Sequence, residues 1–414
     1  MRLLQLVHQY PPEWLGGTEI YTQALAEELA NRGHASAVFT RSFCRGDGRL
    51  AVGGRHEGQV LVWRAPDGTT SPWRRFVASL WQPDVLKLFK DVVEAFRPDV
   101  VHVQHMLGLP LAVLDLLSAY GIPYLVTLHD YWWLCPNAQL IRNDTGQICH
   151  EPQHSVCGRC ALARLGGSSL ASLGALLPLR RLRQPRLARH LAKASVVISP
   201  SQFVLATYRQ AGLALPQGQV LPHGIRLPVQ IPPPARPART GLRFLYLGGI
   251  SWQKGVHILL DALKELADLA GWELQIAGDL GFSPAYSAHL LRAAHGLPVH
   301  FLGSLRRNEV WQVLADADVV VVPSLWYETF AMVVSEAFAL GRPVVASRIG
   351  AMAERVRHGI DGILVEPGAV PAWRDALMSL VRGAQLVSNL KAGVTPPLSL
   401  AEHVDRLAEI YSRL

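Results

Sequence analysis

Short apolar or β-branched runs alternate with helical patterns along this chain, in two series separated by a proline-rich break. The first series holds the strand candidates Arg2–Val7, Ser36–Thr40, Gln59–Trp63, Asp99–Val103, Tyr124–Leu128 and Ser195–Ser199. Between the first two, Glu19–Arg32 carries apolar residues at helical spacing, with Gly33 as a stop signal. Near-continuous apolar strands separated by helices imply a parallel sheet covered on both faces. The break, Arg226–Gly241, contains five prolines, which favours an extended, semi-rigid linker. The second series follows: Arg243–Leu247, Trp272–Ala277, Pro298–Leu302, Ala317–Val322, Pro343–Ser347 and Gly362–Val365. The expected fold class is therefore α/β, with two Rossmann-like, doubly wound domains facing a central cleft. In such sheets ligands gather at the carboxyl ends of the strands. The expected boundaries are 1–225 for the first domain, 226–241 for the linker and 242–385 for the second domain. A final helix within 398–414 is expected to cross back onto the first domain.

Composition narrows the class. Of 414 residues, 50% are hydrophobic and 17% charged, which fits a core-rich globular chain rather than a disordered one. No run of about 18 apolar residues suggests a membrane span. Polar residues follow Met1–Val7 at once, with no small-residue cleavage site, so a secretory signal is not expected and the expected location is cytoplasmic. Charge is uneven: from Pro152 to Leu260 there is no Asp or Glu, yet there are 14 Lys or Arg. That block suits an anionic surface or substrate, and equally an ordinary solvated basic face. Nucleic acid is not expected, because the stretch has no RNP-like strand, zinc-finger spacing or interleaved aromatics.

The most informative segment is Ser324-Leu-Trp-Tyr-Glu328-Thr-Phe-Ala-Met-Val-Val-Ser-Glu336. A strand ends at Pro323, a loop follows, and a helix starts near Thr329, Phe330, Ala331 and Met332. Free amides at a helix start, with the helix dipole, make a phosphate seat. Carboxylates such as Glu328 and Glu336 accept hydrogen bonds from paired hydroxyls, which suits sugars and ribose. Further motifs are Tyr246-Leu-Gly-Gly249-Ile-Ser-Trp-Gln-Lys254-Gly-Val, Gln275-Ile-Ala-Gly278-Asp279, Phe301-Leu-Gly303-Ser304, Pro11-Pro12 with Gly16-Gly17-Thr18-Glu19 and Arg32-Gly33-His34, Thr127-Leu-His129-Asp130, and Leu221-Pro-His223-Gly224-Ile225.

Taken in order, these motifs resemble those of the retaining glycosyltransferases of family 4, which have the GT-B fold, over nearly the whole chain. The resemblance implies transfer from a nucleotide-diphosphate sugar to a glycan or lipid-linked acceptor. It implies that Glu336 binds ribose hydroxyls, Glu328 the transferred sugar, and Lys254 the diphosphate, whose developing charge a fixed cation and amides stabilise. It implies no catalytic metal, and no Asp-x-Asp pair that would hold one is evident. Two departures bear on the donor. Gly249 stands where the family often has a second cation. Ala331 replaces a glycine, and alanine disfavours positive φ, so the phosphate loop is expected to differ slightly. Two further readings share the architecture: a nucleotide-sugar epimerase, and a degenerate sugar-nucleotide-binding protein.

Gly16 and Gly17 precede a helix and would let backbone approach a phosphate or sugar ring, or simply form a turn. Their spacing is not the Gly-x-Gly-x-x-Gly fingerprint, which argues against an NAD enzyme. His129, at the carboxyl end of a strand, suits positioning of an acceptor hydroxyl or structural hydrogen bonding. Cys135, Cys149, Cys157 and Cys160 have the composition of a structural zinc site within an insertion at about 135–160, and free thiols, a disulfide or another metal are the alternatives. The stretch Leu179–Lys193 has basic and apolar residues at helical spacing. It suits peripheral contact with anionic lipid on the inner face of the cell membrane, or an ordinary helix feeding the next strand.

Overall fold

The computed structural model describes residues 1–42, 54–66, 81–150, 156–164, 170–228, 230 and 241–414. Most of the expected linker, 231–240, lies outside the described residues, as do 151–155 of the cysteine-rich insertion. The chain divides into two compact units, Met1–Gly224 with Leu400–Leu414, and Ile225–Ser399.

Unit 1 is built on an eight-stranded sheet. Its strands are β1 (Arg2–Leu6), β2 (Ala35–Ser42), β3 (Arg55–Glu57), β4 (Val60–Pro66), β5 (Val100–Val103), β6 (Tyr124–Thr127), β7 (Val196–Ser199) and β8 (Gln219–Val220). The order is β3-β4-β2-β1-β5-β6-β7-β8, parallel except for the antiparallel β3–β4 edge. Every residue of β5, β6 and β7 is buried, the pattern of strands covered on both faces. The helices are α1 (Gly17–Asn31), α2 (Pro83–Phe96), α3 (Ala112–Ala119), α4 (Val156–Arg164), α5 (Leu170–Lys193) and α6 (Gln202–Gln210).

Unit 2 has six parallel strands: β9 (Leu242–Leu247), β10 (Trp272–Ala277), β11 (Val299–Gly303), β12 (Val319–Val322), β13 (Val344–Ser347) and β14 (Gly362–Val365). The order is β11-β10-β9-β12-β13-β14. The central strand β12 is four consecutive buried valines, whose branched side chains suit a pleated surface packed on both sides. The helices are α7 (Val256–Lys264), α8 (Pro284–Ala293), α9 (Arg307–Asp316), α10 (Met332–Ala339), α11 (Met352–Arg355), α12 (Val370–Arg382) and α13 (Ala384–Gly393). Leu259, Leu263, Trp373 and Leu377, from α7 and α12, join one core cluster with Phe244, Leu274 and Val321 of the strands. Each fully buried aliphatic side chain there contributes about 1.5–3 kcal/mol.

The last helix, α14 (Leu400–Tyr411), belongs to unit 1. Leu400, His403, Val404, Leu407, Ile410 and Tyr411 form its buried face at helical spacing, and it packs on α1. Polar contacts fix its register. Arg32, the residue that caps α1, pairs with Asp405 and donates to the Ala401 carbonyl at 2.8 Å. His403 Nδ1 meets the Pro222 carbonyl at 2.8 Å, and a carbonyl only accepts, so that nitrogen carries the proton. His403 Nε2 then accepts from the Tyr21 hydroxyl at 2.8 Å. The Tyr411 hydroxyl lies 2.7 Å from His102 Nδ1.

His403→Phe keeps the volume of the ring and removes both of its bonds. Tyr21 and Pro222 would each lose a buried partner, at about 1–3 kcal/mol for each group. We expect a lower urea midpoint for this variant; an unchanged midpoint would show that α14 is held by its apolar face alone.

Candidate functional site

Unit 2 has a topological switch point between β9 and β12, where the connections leave in opposite directions. In sheets of this kind ligands bind at such a point, outside the carboxyl ends of the strands. Lys254 follows β9, at the end of a 3-10 turn, Trp252–Lys254. Glu328 follows β12. The two loops are stitched by a hydrogen bond from Leu325 N to the Gln253 carbonyl at 2.8 Å. Gly255, at φ 75°, presses so closely on Pro323 that a Cβ would overlap its carbonyl oxygen. Any side chain there would force the loops apart.

This closure brings Lys254 Nζ to 2.7 Å from Glu328 Oε1. The same oxygen accepts from Ser324 Oγ and Trp326 Nε1, each at 2.8 Å. Lys254 also sits 5.0 Å above the Trp326 ring. Glu328 is 6% exposed, and a carboxylate so buried requires compensating charge and hydrogen bonds. None of these bonds uses Oε2. From behind, Ala351 N donates to the Glu328 carbonyl at 2.9 Å, and Gly350, at φ 58°, lets the backbones touch.

The next turn departs from expectation. Ala331 adopts the left-handed conformation, φ 56° and ψ 76°, that alanine disfavours, so the loop keeps this conformation without its glycine. Arg355 holds it: the guanidinium donates to the carbonyls of Phe330 and Ala331 and to Ser335 Oγ, and lies 3.7 Å from the centroid of the buried Phe330 ring. Burial draws the Arg355 pKa down to about 9. Half-buried Thr329 precedes this turn. Met332 and Val333 begin α10, where amides lie beyond the helical ladder. Glu336, 5% exposed, lies one turn further in and is paired with Arg307.

The other glycines of this region differ in use. Gly278 spends its amide on the Gly303 carbonyl at 2.9 Å and packs on the Gly248 carbonyl, so it serves close loop packing. Gly249 is open on its α-carbon side, and its carbonyl accepts from the Tyr246 hydroxyl at 2.7 Å. Arg307 and Arg355, which motif reading did not single out, bring further cations to this loop and helix. The spacing Asp-x-Asp does occur, at Asp316-Ala-Asp318, but at the amino end of β12. There Asp318 accepts from Arg243 N at 2.9 Å and from Lys391 at 3.4 Å.

Unit 1 reverses its strand order between β1 and β5. His8 follows β1, Gln104 and His105 follow β5, and His129 and Asp130 follow β6. His129 Nε2 lies 2.7 Å from Gln104 Oε1, while Gln104 Nε2 donates to Gln5 Oε1 at 2.8 Å. Gln104 Oε1 is thus an acceptor, and His129 Nε2 carries the proton. Tyr21 and His223 enclose the ring, at centroid distances of 5.1 and 4.9 Å. Burial lowers the His129 pKa to about 3, so the ring is a neutral hydrogen-bonding group rather than a strong base. His105 accepts from Leu107 N at 3.1 Å and donates to Asp130 at 2.8 Å. At the start of α1 the Glu19 carboxylate lies where a Cβ of Gly16 would stand. Burial raises the Glu19 pKa, and His8 lies 3.6 Å away. The helix start at Gly16 and Gly17 is therefore covered by the chain's own carboxyl group, which disfavours a phosphate there.

The four thiols form no disulfide, and among the described residues no three His, Cys, Asp or Glu side chains form a group that could hold a metal. Cys160 instead accepts from Asn143 N at 3.3 Å, and burial raises Cys135 to about 11. In α5 part of the apolar stripe is used within the unit: Leu187 and Leu191 are buried and Arg183 donates to the Trp132 carbonyl at 3.1 Å, while Leu182 is exposed. No described helix is long and apolar enough to cross a membrane.

The Glycosyltransferase Family 4 profile matches residues 15–227, more than half of the chain. This chain belongs to glycosyltransferase family 4. The Glycosyl transferases group 1 profile covers residues 241–383 of the same enzyme. This glycosyltransferase is 27% identical to a glycogen synthase of Mycobacterium tuberculosis over 398 residues, covering 92% of this chain and 86% of that one. In three dimensions it is similar to sucrose-phosphate synthase of Thermosynechococcus elongatus, with a TM-score of 0.74 and 20% identity over 100% of this chain and 99% of the other. It is also similar to HepE of Anabaena, solved with UDP and glucose, with a TM-score of 0.67 and 21% identity over the full length of both. Identities this low carry the fold alone, and that fold is GT-B.

Two expectations follow from this geometry. Ala331→Gly relieves a left-handed alanine and should stabilise the protein by about 0.5–1 kcal/mol, read as a higher urea midpoint; a lower one would mean the turn is not strained. The second concerns acid. Burial lowers His8, His102, His129 and His403, the last to about 4. Below the unfolded value of about 6.5 the unfolded chain takes up protons that the folded unit refuses, at about 1.4 kcal/mol per pH unit for each histidine. Glu19, raised by burial, opposes this with one proton at most. Stability should therefore fall from about pH 6.5 towards pH 4, and urea midpoints at pH 7.5 and 5 check it.

Proposed function

We propose that this family 4 enzyme transfers a sugar, with retention, from a nucleotide-diphosphate donor to a glycan or lipid-linked acceptor. The observation that carries the reading is the Lys254–Glu328 pair at the switch point of unit 2, beside the amino end of α10. There a fixed cation and helix-start amides could bear the charge of a leaving diphosphate, the largest electrostatic demand of such a reaction. HepE, of the same fold, was solved with UDP and glucose, which supports the donor class.

In this reading the bond from the anomeric carbon to the diphosphate breaks as a bond to the acceptor oxygen forms. The acceptor's proton leaves with the nucleoside diphosphate. Lys254 neutralises that diphosphate, with the amides of Met332 and Val333 beside it. Thr329, Phe330 and Ala331 shape the turn that presents those amides, and Gly249 leaves the approach open. Glu336 accepts the ribose hydroxyls. Glu328, whose Oε1 already takes three donors, offers Oε2 to a hydroxyl of the sugar. His129, neutral and fixed by Gln104, positions the acceptor.

Lys254→Met should weaken binding of a nucleoside diphosphate by about 10–100-fold, the worth of a charge-assisted contact. His129→Ala should leave that affinity unchanged and lower kcat more than tenfold. Titration calorimetry and a transfer assay read the two effects, with thermal unfolding to show that both variants fold. Equal nucleotide affinity in Lys254→Met would remove the lysine from the donor site. Interconversion of a nucleotide sugar without acceptor would point to an epimerase instead.

A further inference from the structure

We propose that Arg307 is a ribose-positioning residue. It pairs with the Glu336 carboxylate and aims it, so that nucleotide affinity depends on Arg307 only when the ribose carries its hydroxyls. The inference rests on the reading of Glu336 as the ribose acceptor.

Arg307 is the first residue of α9, a short loop after the end of β11 at Gly303. Two arginines stand together there, and only one is free to reach across. Arg306 is bound to its own turn: its amide donates to Glu309 Oε2 at 2.7 Å, and its guanidinium donates to Oε1 at 2.5 and 3.0 Å. That capping box takes up the nearby carboxylate. Arg307 turns instead to Glu336 on α10, donating from Nη1 to Oε1. Its guanidinium lies 4.9 Å from the ring centroid of Trp311, one turn along the same helix and 3% exposed. The cation is thus steered from beneath as well as by its partner.

Burial makes the pair unequal. The Glu336 side chain is 7% exposed and that of Arg307 42%. An exposed pair would matter little, but a buried carboxylate that loses its cation is left uncompensated. The bond engages only Oε1. Each carboxylate oxygen has two lone pairs, so Oε2 and part of Oε1 remain for a vicinal diol. A planar guanidinium donates along a fixed direction, so it orients the carboxylate as well as offsetting its charge. Lysine would supply charge without that direction.

The test uses the full chain and the nucleoside diphosphate that binds it best among UDP, GDP and ADP, together with its 2′,3′-dideoxy counterpart. Dissociation constants are measured for the wild type, Arg307→Leu, Arg307→Lys and Glu336→Gln. We expect Arg307→Leu to weaken the ribonucleotide by about tenfold or more and the dideoxynucleotide less than twofold. Arg307→Lys should recover part of the loss. Equal loss for both nucleotides would make Arg307 merely structural, and unchanged or tighter ribonucleotide binding would also overturn the proposal. The underlying reading fails separately: if Glu336→Gln leaves the discrimination between the two nucleotides intact, or if no nucleotide binds, Glu336 is not the ribose acceptor.

Discussion

A carboxylate removed from water needs a cation, and the pairing of Glu328 with Lys254 is the contact on which the geometry of unit 2 turns. Glu328 is nearly sealed from solvent, and Lys254, Ser324 and Trp326 converge on one of its oxygens to compensate its burial. That convergence requires the β9 and β12 loops to touch, which requires Gly255 to lack a side chain. It also fixes where α10 begins, and hence where the amides of its first turn point. Arg355 completes the arrangement by holding Ala331 in a conformation its side chain resists. The pair and the turn are thus held by the chain's own contacts, and a site held in advance lowers the ordering cost of binding.

Both units use the same architectural device, a reversal of strand order, and fill it with different chemistry. In unit 2 the reversal gathers permanent charges: Lys254, Glu328, and nearby Arg307 and Glu336. In unit 1 it gathers His8 and His129, which burial keeps neutral, with Gln5, Gln104 and Tyr21, beside the carboxyl groups of Glu19 and Asp130. A diphosphate is bound by charge, and a sugar hydroxyl by directed neutral hydrogen bonds. By that rule the charged set of unit 2 suits an anion, and the hydrogen-bonding set of unit 1 a neutral polar group. The closing helix α14 contributes to the second kind: through Tyr21, His403 braces the ring that packs on His129.

The strands were legible because their composition is local. Runs such as Val319–Val322 and Val100–Val103 can be little else, and the twelve strands read from the sequence all appear, their ends within three residues. The edge strands β3 and β8 were not read, since Arg55-His-Glu and Gln219-Val lack apolar alternation and exist only by pairing with a neighbour. In the candidate site, Lys254, Glu328 and Glu336 were visible because motif and position coincide. Arg307 was not, because nothing in Arg306-Arg307 says which arginine Glu309 will claim. Tyr21 and His403 meet across 382 positions, a distance no local pattern spans. At Ala331 the local preference was read correctly and then overruled by Arg355, a tertiary contact.

The central claim is that unit 2 holds the nucleotide of a sugar donor between Lys254, the start of α10 and Glu336. A crystal structure of the enzyme with a bound nucleoside diphosphate tests it most directly. The account predicts the diphosphate against Lys254 and the amides of Met332 and Val333, with both ribose hydroxyls on Glu336. A nucleotide bound elsewhere, with Lys254 still closed on Glu328 and no phosphate at α10, would contradict it.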